Sequence, residues 1–218
     1  MAIRTVVFDV GETLVAEGRM WATWAEVCGI PPFTFVAVLG AAIAAGNPRE
    51  VFARLGVDAA PLRAEFLRRF GGYRPADLYP DAVEAVAALR GAGLRAAVAG
   101  NQPAWAMPAL RAAGIVADDD ANSEDWGVAK PDPDFFRRCC ALVGALPQET
   151  VYVGDDPVRD VLAARAAGLA TAWVHRGPWA AMGDPAAGRQ ADVVLKGLGE
   201  LVAAIPHLRP TAWRDAPA

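Results

Sequence analysis

The sequence FDVGETL, at residues 8–14, closes the first apolar run of the chain with an acid. The preceding residues, IRTVVF at 3–8, are rich in β-branched and apolar side chains and predict a buried β-strand. Asp9 follows that strand directly, and the second residue after it is Gly11. Any function assigned to this chain has to account for that carboxylate and for the glycine two residues beyond it.

Further apolar runs of the same kind predict more strands: LRAAVAGN at 94–101, TVYVGDD at 150–156, LATAWVH at 169–175 and ADVVLKG at 191–197. Segments with helical spacing lie between them, and several end at a glycine: DAVEAVAALRGAG at 81–93, AWAMPALRAAG at 104–114, PDFFRRCCALVGA at 133–145 and VRDVLAARAAG at 158–168. This alternation predicts a doubly wound, Rossmann-like α/β core with a parallel sheet.

Residues 16–77 break the alternation, because they contain helical patterns such as MWATWAEVCGI and APLRAEFLRRFGGY but no convincing strand. We therefore predict a helical cap at 16–77, inserted into a core domain formed by residues 1–15 and 78–218. An insertion directly after the first strand lies over the carboxyl edge of the sheet, where open α/β folds bind ligands.

The composition indicates what kind of partner the chain has. Of its 218 residues, 54% are hydrophobic, which is ample material for a core, and the formal net charge is -4. The absence of a run of Lys or Arg argues against a nucleic acid or an anionic membrane as partner. We expect a small-molecule partner, while the oligomeric state stays open.

Cysteine usage and hydropathy bear on the compartment. The three cysteines include the adjacent pair Cys139 and Cys140, a poor framework for disulfides, which favours reduced thiols and the cytoplasm. The longest apolar stretch, at 33–46, is shorter than the roughly 20 residues that a membrane-spanning helix needs. We expect neither an export signal nor a membrane span.

Several polar residues follow predicted strands and should meet at one edge of the sheet. They are Asp9, the pair Gly100 and Asn101, and the pair Asp155 and Asp156. Carboxylates brought together repel one another unless a cation lies between them, and carboxylate and carbonyl oxygens suit Mg²⁺. Taken singly, each acid could equally be a helix cap or a turn residue. Their convergence predicts a magnesium site.

Lys130, in GVAKPDPDFF at 127–136, is a cation placed just before a helix that starts with proline. A lone lysine in such a position is ordinarily solvated. Beside a group of carboxylates, its charge would instead keep a nucleophilic Asp ionised and bind an anionic substrate.

Four segments resemble, in the same order, the motifs of the haloacid dehalogenase superfamily of phosphotransferases and hydrolases. They are FDVGETL at 8–14, LRAAVAGNQ at 94–102, GVAKPDPDFF at 127–136 and VYVGDDPVRDVLAARAAGL at 151–169. One such match would be weak, whereas four in order are a strong signal. The resemblance covers nearly the whole chain and is to members with a helical cap after the first motif.

The resemblance implies a role for each matching residue. Asp9 would be the nucleophile that forms an aspartyl-phosphate, with Lys130 as its catalytic partner. Asp9, Asp155 and the backbone carbonyl of Gly11 would bind Mg²⁺.

The remaining matching residues would support this chemistry. Asp160 would act through water or orient Lys130, and Asp156 would share that duty or cap a helix. Thr13 would fix the conformation of the first loop.

The first departure from the family pattern is Gly11, because family phosphatases usually have a second Asp there that protonates the leaving oxygen and later activates water. Gly11 keeps the carbonyl and lacks the acid. Losing a positioned acid or base typically costs about 10²–10⁴ in rate, which predicts slow hydrolysis or a preference for aryl and acyl phosphates. Replacing Gly11 by Asp should then raise turnover of alkyl phosphates. Glu12 is a possible substitute, although its side chain is expected to point away from that of Asp9.

The second departure is Gly100, where the family normally has Ser or Thr to donate a hydrogen bond to the phosphoryl group. The backbone N–H of Gly100 remains, and the Asn101 amide is a further donor to substrate or, equally, a turn residue. We therefore name Gly100, Asn101 and Lys130 as substrate-binding candidates.

Three functions compete at this point. The first is a Mg²⁺-dependent phosphatase of a small phosphorylated metabolite. The second is a non-catalytic or vestigial relative that binds a phosphorylated ligand or a protein partner, which Gly11 and Gly100 favour. The third, a dehalogenase, attacks carbon and needs no metal, so the neighbouring acids of GDD at 154–156 count against it.

Overall fold

The computed structural model describes residues 2–208, so the last part of the predicted core, residues 209–218, lies outside the described residues. Six strands form one sheet in the order β3-β2-β1-β4-β5-β6, and every neighbouring pair is parallel. The strands are Thr5–Phe8 (β1), Arg95–Gly100 (β2), Asp119–Asn122 (β3), Thr150–Gly154 (β4), Ala170–Val174 (β5) and Val193–Leu195 (β6). The predicted Rossmann-like α/β fold class is confirmed.

Helices separate the strands throughout the part of the chain that the structure describes. They are Gly18–Val27 (α1), Pro32–Ala44 (α2), Glu50–Arg54 (α3), Arg63–Phe70 (α4), Ala82–Gly91 (α5), Ala106–Ala113 (α6), Ser123–Trp126 (α7), Pro133–Val143 (α8), Ala163–Ala166 (α9), Gly177–Met182 (α10), Pro185–Gly188 (α11) and Leu201–Ala204 (α12). A π-helical segment, Pro157–Leu162, runs into α9. Short 3₁₀ turns are Pro75–Asp77, Pro147–Glu149, Leu198–Glu200 and Ile205–His207.

Strand β1 lies in the middle of the sheet and is buried on both faces. Val6 and Phe8 pack into the larger apolar cluster, with residues of α5 and α6, whereas Val7 packs on the other face against α8. Successive side chains of a strand point to opposite faces, so a continuous run of apolar residues covers both. The strand that carries Asp9 is therefore held rigidly between two layers of helices.

The sequence prediction missed β3, whose residues Asp119–Asn122 are polar. This strand lies at the edge of the sheet, where one side needs no strand partner, and it pairs only with β2. Polar contacts fix it: Arg95 forms an ion pair with Asp119 at 2.7 Å, and Asp118 accepts a 2.9 Å hydrogen bond from the backbone N–H of Ala96. Apolar patterning could not reveal a strand held in this way.

Residues 16–77 form α1 to α4 and the 3₁₀ turn 75–77, and no strand. Residues of α1, α2 and α3 form an apolar cluster with Trp179 of α10, in which Phe35 and Val51 are fully buried, whereas Phe66 and Phe70 of α4 belong to the larger cluster. Trp24 stacks on Phe66 at 4.1 Å between ring centroids. That residues 16–77 form a separate cap domain stays a prediction.

The apolar stretch at 33–46 forms most of α2. Among residues 2–208, no single helix is long and apolar enough to cross a membrane. Only α1 and α2 taken together reach the required length and composition, and the two helices are bent by 116° where they meet.

The two connections to the helical insertion run side by side. Val15 pairs with Leu78, the Ala16 N–H donates to the Asp77 carbonyl at 2.8 Å, and the Tyr79 N–H donates to the Leu14 carbonyl at 2.9 Å. The first and last residues of the insertion are thereby joined by backbone hydrogen bonds.

Arg19, in the first turn of α1, adds side-chain contacts at this junction of the two connections. Its guanidinium bonds to both carboxylate oxygens of Asp77, to the carbonyl oxygens of Phe70 and Gly72, and lies 4.1 Å from the centroid of the Phe70 ring. These contacts lower the pKa of Asp77, chiefly through the hydrogen bond from Arg19.

Replacing Arg19 by Ala should lower the free energy of unfolding by about 1–3 kcal/mol, because it leaves the buried Asp77 carboxylate without its cation and two carbonyls without this donor. For a chain of this size each kcal/mol lowers Tm by about 2–4 °C, which thermal denaturation followed by circular dichroism measures. Arg68→Ala removes an exposed ion pair to Glu65 on α4 and serves as the control. Equal Tm values for the two variants would contradict the importance of the junction.

Candidate active site

The predicted convergence of acids occurs at the carboxyl edge of the sheet. Asp9 follows β1 and Asp155 follows the adjacent strand β4, and the Asp9 N–H donates to the Val153 carbonyl at 2.8 Å. Asp160, from the π-helical segment, completes the group: Asp9, Asp155 and Asp160 each offer a carboxylate oxygen, and these oxygens lie within 4.8 Å of one another. All three side chains are buried.

Lys130 joins two of these acids. Its Nζ atom lies 2.6 Å from Oδ1 of Asp9 and 2.6 Å from Oδ1 of Asp160, and only 4% of its side chain is exposed. Burial lowers the pKa of this ammonium, but the charges of Asp160 and Asp9 outweigh burial and raise its pKa above the ordinary value. Lys130 therefore remains a cation at any physiological pH.

Asn101, directly after β2, positions the backbone of Lys130. Its Oδ1 accepts the Lys130 N–H at 2.8 Å and its Nδ2 donates to the Lys130 carbonyl at 2.9 Å. One amide hydrogen of Asn101 remains for another acceptor. The predicted contact of Asn101 with substrate stays a prediction.

The two acids that follow β4 have different surroundings. Asp160 is committed on both oxygens, since its Oδ2 accepts the Asp156 N–H at 2.9 Å; burial is the main cause that raises its pKa to about 7. Asp155 is 1% exposed, and burial, followed by the charges of Asp160 and Asp9, raises its pKa well above the ordinary value. Its Oδ2 is buried and has no hydrogen-bond partner among residues 2–208.

These residues fit a divalent cation. Three buried carboxylates face a single ammonium, so negative charge is in excess, and isolated buried charge is costly. Within the described chain, the Asp155 Oδ2, the Asp9 Oδ2 and the Gly11 carbonyl accept no hydrogen bond. Oxygen donors of this kind are those that hard cations such as Mg²⁺ prefer.

Asp156 caps the helical segment after β4. Its Oδ1 accepts the N–H groups of Val158 and Arg159, each at 2.8 Å, and its Oδ2 accepts from Arg159 Nε at 2.7 Å. The capping alternative of the sequence analysis therefore describes its contacts. Arg159, which also lies over the Trp179 ring at 4.3 Å, is a second cation near the acids that sequence reasoning did not single out.

The first loop, which joins β1 to α1, is fixed largely by Glu12 and by backbone contacts of Thr13. Glu12 has a positive φ of 55°, and its carboxylate accepts from the Glu17 N–H at 2.8 Å and from the Tyr79 hydroxyl at 2.5 Å. The Thr13 carbonyl accepts from Arg176, while its buried hydroxyl has no hydrogen-bond partner in the part of the chain described. Both carboxylate oxygens of Glu12 are used structurally, so Glu12 does not replace the acid missing at Gly11.

Gly11 faces a carboxylate that the sequence analysis missed. A Cβ at Gly11 would lie 2.8 Å from Cδ of Glu17 and closer still to its Oε1. Glu17 is 7% exposed, and burial, with a smaller contribution from the Glu12 charge, raises its pKa to about 7. In the sequence Glu17 resembles any acid at the start of a helix, where acids are common, so no signal marked it.

Gly100 leaves room for the Asp9 side chain. A Cβ at Gly100 would lie 2.6 Å from the Asp9 Oδ1, which is the atom that Lys130 binds, and 3.3 Å from Cγ2 of Val10. Gly154 has the same relation to Asp160, since a Cβ there would lie 2.5 Å from the Asp160 Cβ. At both strand ends a side chain could be added only if the neighbouring carboxylate moved.

Residues 3–168 match the family model of the haloacid dehalogenase-like hydrolases. Because this match covers well over half of the chain, the chain belongs to that family, and the resemblance drawn from the four motifs is confirmed. The protein is therefore a hydrolase.

Several proteins of known name are similar to this chain. It is 36% identical over 138 residues to a phosphoserine phosphatase of Thermus thermophilus, covering 59% of this chain and 53% of that protein, so the match spans about half the length of that relative. It is 35% identical over 158 residues to a plasmid-encoded phosphoglycolate phosphatase of Cupriavidus necator, covering 70% of this chain and 67% of that protein.

Solved structures show the same fold. The magnesium-bound structure of the HAD-type hydrolase YfnB of Bacillus subtilis superposes with a TM-score of 0.72 at 20% identity, covering 94% of this chain and 100% of that chain. At this identity the likeness concerns the fold alone.

Replacing Gly100 by Ser should destabilise the protein, although Ser is common at this position in the family. The new Cβ would displace the Asp9 carboxylate from Lys130, and crowding a packed site costs about 1–3 kcal/mol. Thermal denaturation should show a lower Tm. Gly91→Ala, at a position where a Cβ meets no atom within 4 Å, is the control and should leave Tm nearly unchanged. A Gly100→Ser variant as stable as this control would refute the argument.

Proposed function

We propose that this hydrolase is a Mg²⁺-dependent phosphatase that acts on a small phosphorylated metabolite through an aspartyl-phosphate at Asp9. The observation that carries the proposal is the buried group of Asp9, Asp155 and Asp160 around Lys130, in which one oxygen of Asp155 is unpartnered among residues 2–208. A site with this excess of negative charge needs a cation before it can receive an anionic phosphate. The relatives named as phosphatases of phosphoserine and of phosphoglycolate support a phosphate ester as substrate.

Asp9, Asp155 and the carbonyl of Gly11 are the groups proposed to hold Mg²⁺. Asp160 is assigned to Lys130, because its two oxygens already accept from Lys130 and from the Asp156 N–H. When bound, Mg²⁺ would draw charge from the phosphoryl oxygens and so ease attack by an anionic nucleophile.

Asp9 performs the covalent chemistry in this proposal. Its carboxylate attacks the phosphorus atom and forms an O–P bond while the bond from phosphorus to the ester oxygen breaks, and the leaving oxygen takes up a proton. Water then attacks the phosphorus of the aspartyl-phosphate and gives up a proton, which replaces the one that the leaving oxygen took. The O–P bond to Asp9 breaks, and phosphate and the free carboxylate are released. Lys130 holds Asp9 in position throughout by its ion pair.

The remaining predicted residues would receive the phosphoryl group or support the site. Lys130 and the backbone N–H groups at Gly100 and Asn101 are proposed to bind phosphoryl oxygens. Thr13 and Asp156 would keep the first loop and the π-helical segment in place.

Residues 16–77 are proposed to act as a cap that shields the reaction from bulk water, since Glu17 of this segment lies against Gly11 of the first loop. We also propose a cytoplasmic location, consistent with the free thiols of Cys28, Cys139 and Cys140. A dehalogenase needs no metal, and the Asp155 Oδ2, which has no hydrogen-bond partner in the described part of the chain, counts against it.

Asp9→Asn should abolish Mg²⁺-dependent phosphate release, because the amide is a poor nucleophile. Release is measured with an aryl, an acyl and an alkyl phosphate, for example p-nitrophenyl phosphate, acetyl phosphate and glycerol phosphate, with and without EDTA. Asp58→Asn, the same change at an exposed acid of the insertion, should leave turnover unaltered. Turnover by the wild type no higher than by Asp9→Asn would leave the non-catalytic, ligand-binding alternative.

Mg²⁺ should raise Tm by binding the folded state. At a concentration of 100 Kd one bound ion stabilises by about 2.7 kcal/mol, or about 5–10 °C for a chain of this length. Asp155→Asn should lose most of this shift and, without metal, should be at least as stable as the wild type, since a carboxyl group whose charged form is costly to bury is replaced by a neutral amide. A full Mg²⁺-induced shift in Asp155→Asn would show that the cation binds elsewhere.

A further inference from the structure

We propose that Glu17 is the general acid and base of this enzyme, taking the place of the side chain that Gly11 lacks. The inference rests on the proposed phosphatase function and assigns the one step for which the sequence offered no residue. Glu17 directly precedes α1 and lies outside every motif of the sequence analysis.

The position of the Glu17 carboxylate is the first argument. A side chain at residue 11 would begin 2.8 Å from the Glu17 Cδ, so the carboxylate occupies the space that a residue-11 side chain would fill. Residue 11 is two positions beyond the nucleophile Asp9. A carboxylate can reach this location from the main chain at residue 11 or from Glu17, and this chain uses the second route.

The hydrogen bonds of Glu17 are the second argument. Its Oε2 accepts from Trp21 Nε1 at 3.1 Å, which holds the carboxylate, and its backbone N–H donates to the Glu12 Oε1 at 2.8 Å, which holds the main chain at this residue. Its Oε1 accepts no hydrogen bond from residues 2–208, and that oxygen is the one nearest to Gly11. One oxygen is thus held and the other is free to exchange a proton.

The burial of Glu17 is the third argument. A glutamate is almost never this deeply buried unless it is paired, and no salt bridge to Glu17 occurs within the described residues. Although it precedes α1, its side chain makes no capping hydrogen bond. Neither an ion pair nor a helix cap accounts for its position.

The other glutamate between β1 and α1 is unavailable. Glu12 uses one oxygen for the Glu17 N–H and the other for the Tyr79 hydroxyl. Its role is to hold the loop that carries Glu17.

In this proposal Glu17 gives up one proton when the phosphoenzyme forms and regains one when the phosphoenzyme is hydrolysed. As the bond from phosphorus to the ester oxygen breaks, protonated Glu17 gives its proton to that oxygen, and the alcohol leaves. The Glu17 carboxylate then takes a proton from the attacking water, phosphate is released from Asp9, and both residues return to their starting states.

This assignment changes the expectation for Gly11. A carboxylate is present, so alkyl phosphates should be hydrolysed as well as aryl and acyl phosphates. Gly11→Asp alone should not raise their turnover, because the new side chain would collide with Glu17. An acid can be returned to residue 11 only in the double variant Gly11→Asp/Glu17→Ala, which also removes the Glu17 side chain.

The test compares glycerol phosphate with p-nitrophenyl phosphate in the Mg²⁺-loaded protein. Glu17→Gln should lower steady-state turnover of glycerol phosphate by about 10²–10⁴-fold. With p-nitrophenyl phosphate, whose leaving group needs no proton, it should still release a burst of one nitrophenol per site and accumulate phosphoenzyme that rapid acid quench traps. Glu26→Gln, the same change at an exposed position of α1, is the control.

Two further measurements separate a chemical from a structural role. The double variant Gly11→Asp/Glu17→Ala should recover glycerol phosphate turnover relative to Glu17→Ala, and Tm of each variant is recorded beside its rate. Wild-type turnover of glycerol phosphate by Glu17→Gln, or an equal loss of burst and steady state, would overturn the assignment. Both of these results leave the proposed function intact if Asp9→Asn is inactive, whereas an active Asp9→Asn would overturn the function itself.

Discussion

The buried ammonium group of Lys130 connects the candidate active-site residues at the carboxyl edge of the sheet. Lys130 comes from the loop before α8, yet its Nζ bonds to an acid after β1 and to another after β4, so a single atom connects three distant parts of the chain. Removing such a group would leave two carboxylates buried without their cation, which is far more costly than losing an exposed ion pair. Asn101 adds a fourth segment by binding both backbone polar groups of Lys130.

Glycines make this arrangement possible. Asp9 lies against Gly100, Asp160 lies against Gly154, and Glu17 lies against Gly11, in each case where a Cβ would collide. The carboxylates could not approach the strand ends so closely if these residues carried side chains. What the sequence presents as missing catalytic groups at positions 11 and 100 is, in three dimensions, space that acids from elsewhere in the chain occupy.

Much of the fold and part of the site follow from the sequence. Apolar runs at β1, β2, β4, β5 and β6 mark the parallel sheet, and parallel topology brings Asp9 and Asp155 to one edge without further information. The polar edge strand β3 gave no such signal, because ion pairs and backbone contacts hold it. Glu17 was missed for a different reason: its place beside Gly11 depends on the path of the chain into α1, which local patterns do not specify.

The paired connections at Val15 and Leu78 hold the chain just before the start of α1. Glu17 lies between this pairing and α1, and it is bonded on one side to the first loop and on the other to Trp21 of the helix. The Glu17 carboxylate is therefore tied to α1 through Trp21, whereas Asp9 is tied to the sheet through the Val153 carbonyl. The distance between these two acids depends on where the connections at Val15 and Leu78 hold the start of α1.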